Sequence, residues 1–139
     1  MIKILLVSHG ELCRGILNTA KLFANDINEI TAIPFYSDDY GKDPEQELDK
    51  YLSQITKDDK VIIISDILWG SVNQKLIIKC SEVDNIHIVT GLNLPLLLEL
   101  MTITEDLFSQ EEISRRVNNC KKSIVYMKEY TIQNYEEDE

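Results

Sequence analysis

The sequence predicts an α/β fold with an open, mostly parallel sheet and helices on both faces, a three-layer α/β/α arrangement. Four short β-rich runs alternate with stretches of helical periodicity, which is typical of parallel strands joined by right-handed crossover helices. Two of these runs are nearly continuous in Ile, Leu and Val, as strands buried on both faces are. The runs are IKILLVS (2–8), EITAIPFY (29–36), KVIIISD (60–66) and IHIVTG (86–91).

The strands and the first helix follow from local pattern. The aliphatic runs 2–8 and 60–66 are expected in the interior of the sheet. Pro34 lies in the second run and has no backbone N–H for a ladder bond, so that run is expected at an edge. After Gly10, apolar residues recur at helical spacing and predict a first helix. Its apolar stripe is Leu12, Cys13, Ile16, Leu17, Ala20, Phe23 and Ala24.

Capping residues and apolar spacing mark the later helices. Asp43 is predicted as an N-cap, and the proline that follows it as the first helical residue. Ser109 with Glu112 three residues later is typical of a capping box. A helix is also predicted from Ser71 and another near Pro95. The apolar faces of these four helices are Leu48, Tyr51, Leu52 and Ile55; Val72, Leu76, Ile77 and Cys80; Leu96, Leu97, Leu100 and Met101; and Ile113, Val117 and Cys120.

Length predicts one domain, residues 1–132, followed by an acidic tail, residues 133–139. Near the end of that domain, the segment 123–132 could extend the last helix or form an additional strand. No apolar run reaches the ~20 residues that a membrane span needs. The N-terminal MIKILLVS is too short for a signal peptide, so we expect a soluble chain that is not exported.

Charge and cysteine content narrow the classes of partner. The net charge of −10 argues against nucleic acid, whose phosphates attract clustered Lys and Arg. It suits a partner with a basic face, or serves solubility alone. The cysteines Cys13, Cys80 and Cys120 show neither disulfide nor zinc spacing. A reduced, cytoplasmic setting fits them best.

Polar residues at strand ends predict the position of a site. His9 ends the first strand, Asp66 ends the third, and residues 90–93 follow the fourth. The carboxyl ends of parallel strands meet at one rim, where ligands bind in open α/β folds. These residues are therefore expected on the same rim.

The residue types at this rim fit nucleophilic chemistry on a phosphate. An Asp66 carboxylate beside His9 would fix the tautomer of the imidazole and leave its other nitrogen free to attack. Gly70 allows close backbone approach and Ser71 offers a hydroxyl, so the third loop can cradle an oxyanion. Each residue also has a structural alternative: a structural histidine, a turn aspartate, an N-cap serine at Ser71, and an N-cap at Asn93.

His87, the second histidine of the chain, lies in the middle of a predicted strand between two isoleucines. This position favours a structural role.

Three stretches together resemble a known family. VSHGELCRGIL, SDILWGSVNQ and TGLNLPLLLE are similar to the mannose-type EIIA domain of the bacterial phosphoenolpyruvate-dependent sugar phosphotransferase system (PTS), and the likeness extends from residue 2 to about 125. The resemblance implies that His9 accepts phosphate from phospho-HPr, through Nε2, and passes it to an EIIB component. It also implies that Asp66 orients His9. The phosphate would be held by Gly10, Trp69, Gly70 and Ser71, with Asn93 in a supporting loop.

The resemblance carries expectations about partners as well. It implies a phosphotransferase that needs no metal and no cofactor, works indirectly with a membrane EIIC/EIID permease, and forms a homodimer. Trp69 stands where the family usually has the first of two glycines, so the wrapping of this loop around phosphate is an open question. No G-x-x-x-x-G-K-[ST] motif is present, so direct use of ATP is not indicated.

Three alternatives remain at this stage. The related phosphocarrier subunit that feeds dihydroxyacetone kinase shares the strand-end Ser-His motif and the fold. A histidine phosphatase usually has Arg before its first histidine, whereas Ser8 precedes His9 here. A non-catalytic binding or regulatory module would keep the fold without the chemistry, and the presence of both His9 and Asp66 speaks against it.

Overall fold

The computed structural model describes residues 2–24, 29–38, 43–68 and 70–131. Strands and helices alternate along the chain, as predicted. The strands are β1 (Ile2–His9), β2 (Ile30–Phe35), β3 (Lys60–Ser65) and β4 (Ile86–Thr90). The helices are α1 (Leu12–Ala20), α2 (Pro44–Ser53), α3 (Ser71–Cys80), α4 (Leu94–Leu100) and α5 (Gln110–Cys120).

The four strands form one sheet in the order β2-β1-β3-β4, and every neighbouring pair is parallel. From β1 the chain goes to β2 on one side and then crosses to β3 on the other side. The strand order therefore reverses between β1 and β3, and ligands bind at such a reversal in folds of this kind. Strand β2 lies at one edge, in agreement with the expectation from Pro34.

Two separate hydrophobic cores lie on opposite faces of the sheet. Alternate side chains of β1 and β3 point to each face, because successive residues of a strand face opposite ways. One core joins the sheet to α1, α4 and α5, and the other joins it to α2 and α3. The strand residues Ile4, Leu6, Ile62 and Ile64 lie in the first core, and Leu5, Val7, Val61 and Ile63 in the second. The predicted α/β/α layers are confirmed.

Predicted capping residues begin two of the helices. Asp43 accepts hydrogen bonds from the N–H groups of Glu45 and Gln46, which confirms it as the N-cap of α2. Ser109 accepts from the N–H of Glu112 and begins α5. The carboxylate of Glu112, in turn, pairs with Arg115 and Arg116.

Two expectations for the first helix are wrong. Leu12 and Phe23 belong to the predicted apolar stripe, yet both are exposed. The helix ends at Ala20, after which the N–H of Phe23 donates to the Ala20 carbonyl in a tighter turn. Phe23 therefore leaves the helical face that packs on the sheet, and Leu12, the first helical residue, lies at the solvent side of the rim.

The C-terminal segment contains a short 3-10 turn, Lys121–Ser123, and a helical stretch over 127–131. Within residues 123–131 there is no strand, so the strand alternative finds no support there. Residue 132 and the predicted tail, 133–139, lie outside the described residues. No helix in the described part of the chain has the length and hydropathy to cross a membrane.

Candidate functional site

His9 is delivered to the rim by the pairing of β1 with its edge neighbour. It is the last residue of β1 and lies opposite Phe35, the last residue of β2. The next residue, Gly10, has φ +59° and donates its N–H to the Phe35 carbonyl at 2.6 Å. This left-handed conformation suits glycine and turns the chain sharply away from the sheet at the point where β1 ends.

Asp66, the first residue after β3, holds both the backbone and the ring of His9. Its Oδ2 accepts from the His9 N–H at 2.8 Å and lies 3.0 Å from Nδ1 of the same residue. Its Oδ1 accepts from the N–H of Ile67 at 3.0 Å, and the side chain is only 6% exposed. The predicted contact between these two residues is present.

The charge state of Asp66 fixes the tautomer of His9. Burial raises the pKa of Asp66, but the hydrogen bonds from the backbone and ring of His9 and from the N–H of Ile67 outweigh burial and hold that pKa below its usual value. An ionised carboxylate can only accept, so the proton of the neutral ring lies on Nδ1. Nε2 then carries the free electron pair of a nucleophile.

Ser71 faces this nitrogen from the start of α3. Its Oγ lies 3.2 Å from His9 Nε2. The N-cap of α3 is Gly70, and Ser71 is the first helical residue, so the alternative that Ser71 serves as an N-cap is wrong. The N-cap residue Gly70 has no side chain to cap the first-turn N–H groups of α3. These donors and the positive end of the helix dipole make the place beside Nε2 suitable for an anion.

Gly70 is required by the close approach of the loop to the histidine. A Cβ at this position would lie 3.4 Å from His9 Cε1 and 3.2 Å from both Cβ and the carbonyl oxygen of Ile67. The backbone of Gly70 has φ −71°, which any residue adopts, so the need is for space alone.

A tyrosine that sequence reasoning did not single out completes the site. Tyr36 follows β2 directly, and its ring stacks on the imidazole of His9 with centroids 5.5 Å apart and an angle of 29°. Its hydroxyl lies 3.2 Å from Ser71 Oγ. The available signal was its place at the carboxyl end of a predicted strand, next to the rim.

A buried triangle of polar side chains supports the site from beneath. Ser65 Oγ donates to Asn73 Oδ1 at 3.0 Å, Thr90 Oγ1 donates to the same oxygen at 2.6 Å, and the two hydroxyls are 2.8 Å apart. The Ser65 carbonyl also accepts from the N–H groups of Gly91 and Leu92. The ends of β3 and β4 and the start of α3 are thereby joined.

Two other predicted site residues, Gly10 and Asn93, make their hydrogen bonds elsewhere. The N–H of Gly10 is already used by Phe35, so its predicted part in phosphate binding cannot rest on that donor. Asn93 caps α4 by accepting from the N–H of Leu96 at 2.9 Å, as the structural alternative held. No hydrogen bond within the described residues joins Asn93 to His9 or Asp66. Trp69 lies outside the described residues.

The contacts of His87 do not involve the residues around His9. It lies in β4, half-buried, with its ring edge-on to Phe108 at 5.5 Å between centroids. Burial lowers its pKa from the usual 6.5. These contacts agree with the structural role expected for it.

The described residues contain no group of three His, Cys, Asp or Glu side chains placed to hold a metal ion. What the rim offers is an imidazole oriented by a carboxylate, with a nucleophilic nitrogen beside a helix N-terminus. The fold and this rim define a class: an open parallel α/β protein with a carboxylate-oriented histidine at the carboxyl end of its first strand.

Comparison with known proteins identifies the family within that class. The family model for the PTS system fructose IIA component matches residues 3–117, and the chain belongs to this EIIA family. The chain is therefore a IIA component of the sugar phosphotransferase-system family.

Relatives agree along most of the chain. A PTS system fructose-specific EIIA component from Bacillus subtilis is 22% identical over 107 residues, 77% of this chain and 73% of that protein. The crystal structure of a candidate PTS permease from Klebsiella pneumoniae is 27% identical, with a TM-score of 0.82 over 94% of this chain and 93% of that one. A PTS IIA protein associated with the fucose utilization operon of Streptococcus pneumoniae is 26% identical, with a TM-score of 0.77 over 94% and 96%.

Proposed function

We propose that this chain is a phosphohistidine carrier of a sugar phosphotransferase system, accepting phosphate on His9 from phospho-HPr and passing it to an EIIB component. The observation that carries the proposal is the pairing of His9 with Asp66. Asp66 Oδ2 lies 3.0 Å from Nδ1, which leaves Nε2 unprotonated and directed toward Ser71 at the start of α3.

The transfer we propose is an in-line displacement between two imidazoles. The electron pair of His9 Nε2 attacks phosphorus, and the N–P bond of the donor breaks with its electron pair returning to the donor ring. The proton on Nδ1 stays in place, and the Asp66 carboxylate stabilises the positive charge that develops on the His9 ring. The same steps in reverse, with EIIB as acceptor, discharge the carrier.

The phosphoryl oxygens would be stabilised by donors of the third loop and α3. Ser71 Oγ lies 3.2 Å from the nitrogen that would be phosphorylated, and the first-turn N–H groups of α3 follow it. Catalysis would then consist of positioning and electrostatic stabilisation, as is usual for phosphoryl transfer. Gly10 and Trp69 remain predicted contributors to the phosphate site.

The surroundings of His9 support a protein, rather than a small molecule, as the source of the phosphate. Leu12, Tyr36, Ile67 and Leu68 lie in the segments that follow β1, β2 and β3, and their exposed fractions are 48–62%. Clustered exposed apolar side chains mark protein–protein contact sites. The net charge of −10 favours a partner with a basic face.

We propose further that one domain, residues 1–132, works in the cytoplasm as a homodimer, and serves a membrane EIIC/EIID permease indirectly through EIIB. The exposed apolar side chains of Ile124, Tyr126 and Met127 support contact with a second copy. Light scattering coupled to size-exclusion chromatography measures this directly, and a monomer mass at working concentration would contradict it.

The carrier function is tested with the purified chain, phosphoenolpyruvate, Enzyme I and HPr. We expect an acid-labile mass gain of one phosphoryl group in the wild type, lost in His9→Ala and kept in His87→Gln. His87→Gln is the matched control because it removes the other histidine of the chain.

An unmodified wild type in the presence of phosphorylated HPr would contradict the proposal. The phosphocarrier of the dihydroxyacetone kinase branch would then be tested with its own donor. Failure there as well would favour a binding module without phosphoryl transfer.

A further inference from the structure

Tyr36 holds an unfavourable backbone conformation without the burial that would offset it. Its φ is +59°, and within the described residues it is the one non-glycine residue with positive φ. Side chains with a Cβ avoid this region, and a bulky residue found there often marks a functional constraint. The side chain is 62% exposed, so packing in the core does not explain the conformation.

The contacts that this conformation makes are all at the rim. The ring stacks on His9 with centroids 5.5 Å apart, and its edge meets Phe35 at 6.1 Å. The hydroxyl lies 3.2 Å from Ser71 Oγ. The conformation therefore serves to bring an aromatic face and an O–H group to the reacting histidine.

Hydrogen bonds join Asp66, His9, Ser71 and Tyr36 in series. The ionised state of Asp66 determines the direction of each of these bonds. Ionised Asp66 accepts from Nδ1–H of His9, so Nε2 must accept. Ser71 therefore uses its single hydroxyl proton to donate to Nε2. That leaves only lone pairs on Ser71 Oγ for Tyr36, so Tyr36 is the donor between the two hydroxyls.

We infer that Tyr36 is a positioning residue for phosphoryl transfer, acting through Ser71. Its donated hydrogen bond holds Ser71 Oγ in the orientation that points the serine proton at Nε2, and so at the place where the phosphoryl oxygens arrive. This inference rests on the proposed carrier function of His9.

The arrangement also specifies what happens as the N–P bond forms. The electron pair of Nε2 is then engaged by phosphorus, and the Ser71 proton turns from Nε2 to a phosphoryl oxygen close by. Tyr36 continues to donate to Ser71 Oγ, and a hydroxyl that accepts one hydrogen bond donates more strongly in the other. No proton leaves the chain in this step.

The test compares rates of phosphorylation by phospho-HPr in four proteins: wild type, Tyr36→Phe, Ser71→Ala and the double variant. Tyr36→Phe keeps the ring that stacks on His9 and removes only the hydroxyl. We expect it to slow the reaction about fivefold, the usual effect of one lost hydrogen bond. Because Tyr36 acts through Ser71, the double variant should be no slower than Ser71→Ala alone.

Tyr51→Phe is the matched control, because Tyr51 lies in α2 and packs on the core that joins the sheet to α2 and α3, away from the rim. Its hydroxyl has no hydrogen-bond partner within the described residues. It should leave the rate at the wild-type value. Free energies of unfolding measured on all variants will show whether any has lost its fold.

A second measurement does not depend on HPr. The 15N chemical shift of His9 Nε2, recorded on the unphosphorylated protein at alkaline pH, reports the hydrogen bond that this nitrogen accepts. We expect the shift to change in Tyr36→Phe and more strongly in Ser71→Ala, and to stay constant in Tyr51→Phe.

An unchanged Nε2 shift or an unchanged rate in Tyr36→Phe would overturn the inference. Additive effects in the double variant would overturn it too, because Tyr36 would then act independently of Ser71. A wild type that accepts no phosphate would be a failure of the carrier proposal itself, and the chemical shifts would still decide whether the hydrogen-bond chain exists.

Discussion

At the scale of single residues, the site depends on one carboxylate that does two tasks. Asp66 fixes the position of the His9 backbone and the protonation of the His9 ring through the same oxygen, Oδ2. Because the hydrogen bonds to Asp66 favour its ionised form, the carboxylate remains an acceptor well into acidic pH.

Replacement of Asp66 by asparagine should therefore preserve the fold and slow the phosphorylation of His9. The amide of Asp66→Asn can place its NH2 group toward Nδ1, which moves the ring proton to Nε2 and blocks the nucleophile. We expect phosphorylation by phospho-HPr to slow about a hundredfold, in line with the loss of groups that orient a reacting histidine. Asp58→Asn, at an exposed position, is the control. A wild-type rate in Asp66→Asn would contradict the role of Asp66 as orienter.

Two glycines should respond in opposite ways to the same added methyl group. In Gly70→Ala the new Cβ meets His9 Cε1 at 3.4 Å and Ile67 at 3.2 Å, so we expect a loss of stability of about 1 kcal/mol and slower phosphorylation. In Gly15→Ala, within α1, nothing lies within 4 Å of the new Cβ. There we expect a gain of about 1 kcal/mol, because alanine favours the helix.

Chemical denaturation and the rate assay together check both variants. A Gly70→Ala protein as stable and as fast as the wild type would show that the loop has room to move away from His9. A Gly15→Ala protein less stable than the wild type would contradict the helix assignment at that position.

At the scale of elements, the edge strand β4 carries a histidine that makes stability depend on pH. Burial lowers the pKa of His87 below 6.5 in the folded chain. The unfolded chain therefore binds the proton more readily, and the contribution of neutral His87 is fully present above pH 6.5. It is lost as pH falls from 6.5 through the lowered pKa of the folded state.

The measurement is the free energy of unfolding of wild type and His87→Gln across that interval. We expect the difference between the two to change as pH falls below 6.5 and to be constant above it. A difference that stays constant throughout would show that His87 has the same pKa in the folded and unfolded chain. Lys60 is a cation close to this pair of rings. Its Nζ lies 5.9 Å from the centroid of the Phe108 ring, which packs on His87.

Elements whose signals are local were predicted well from the sequence. Asp43 and Ser109 begin their helices because capping depends on residues two or three positions away. Pro34 placed β2 at an edge because the missing N–H is a property of one residue. The end of α1 was missed, since apolar spacing continued to Phe23 although the backbone tightens after Ala20.

The site was predictable only where it depends on the direction of strands. Parallel strands place their carboxyl ends on one rim, so His9 and Asp66 could be paired from the sequence alone. The same rule could have placed Tyr36 at the rim, but it does not predict its role, because that role depends on a positive φ and on Ser71, 35 residues further along the chain. Whether Ser71 or Gly70 caps α3 depends on backbone angles that neither residue type dictates.

At the scale of the whole molecule, charge should govern how fast partners meet. The chain carries a net charge of −10, and a partner with a basic face is drawn to it over about one Debye length. We expect the second-order rate of phosphorylation by phospho-HPr to fall as salt is raised. The first-order hydrolysis of the phosphorylated chain, which needs no partner, should stay nearly constant and serves as the control. A transfer rate independent of salt would contradict electrostatic steering.

The buried triangle of Ser65, Asn73 and Thr90 has a consequence for the timescale on which the rim can open. The N–H groups of Gly91 and Leu92 both donate to the carbonyl of Ser65, whose side chain is part of this triangle. Their amide protons should therefore exchange with solvent more slowly than those of ordinary surface loops. Slow exchange at these two amides would mean that this part of the rim is already formed before a partner docks.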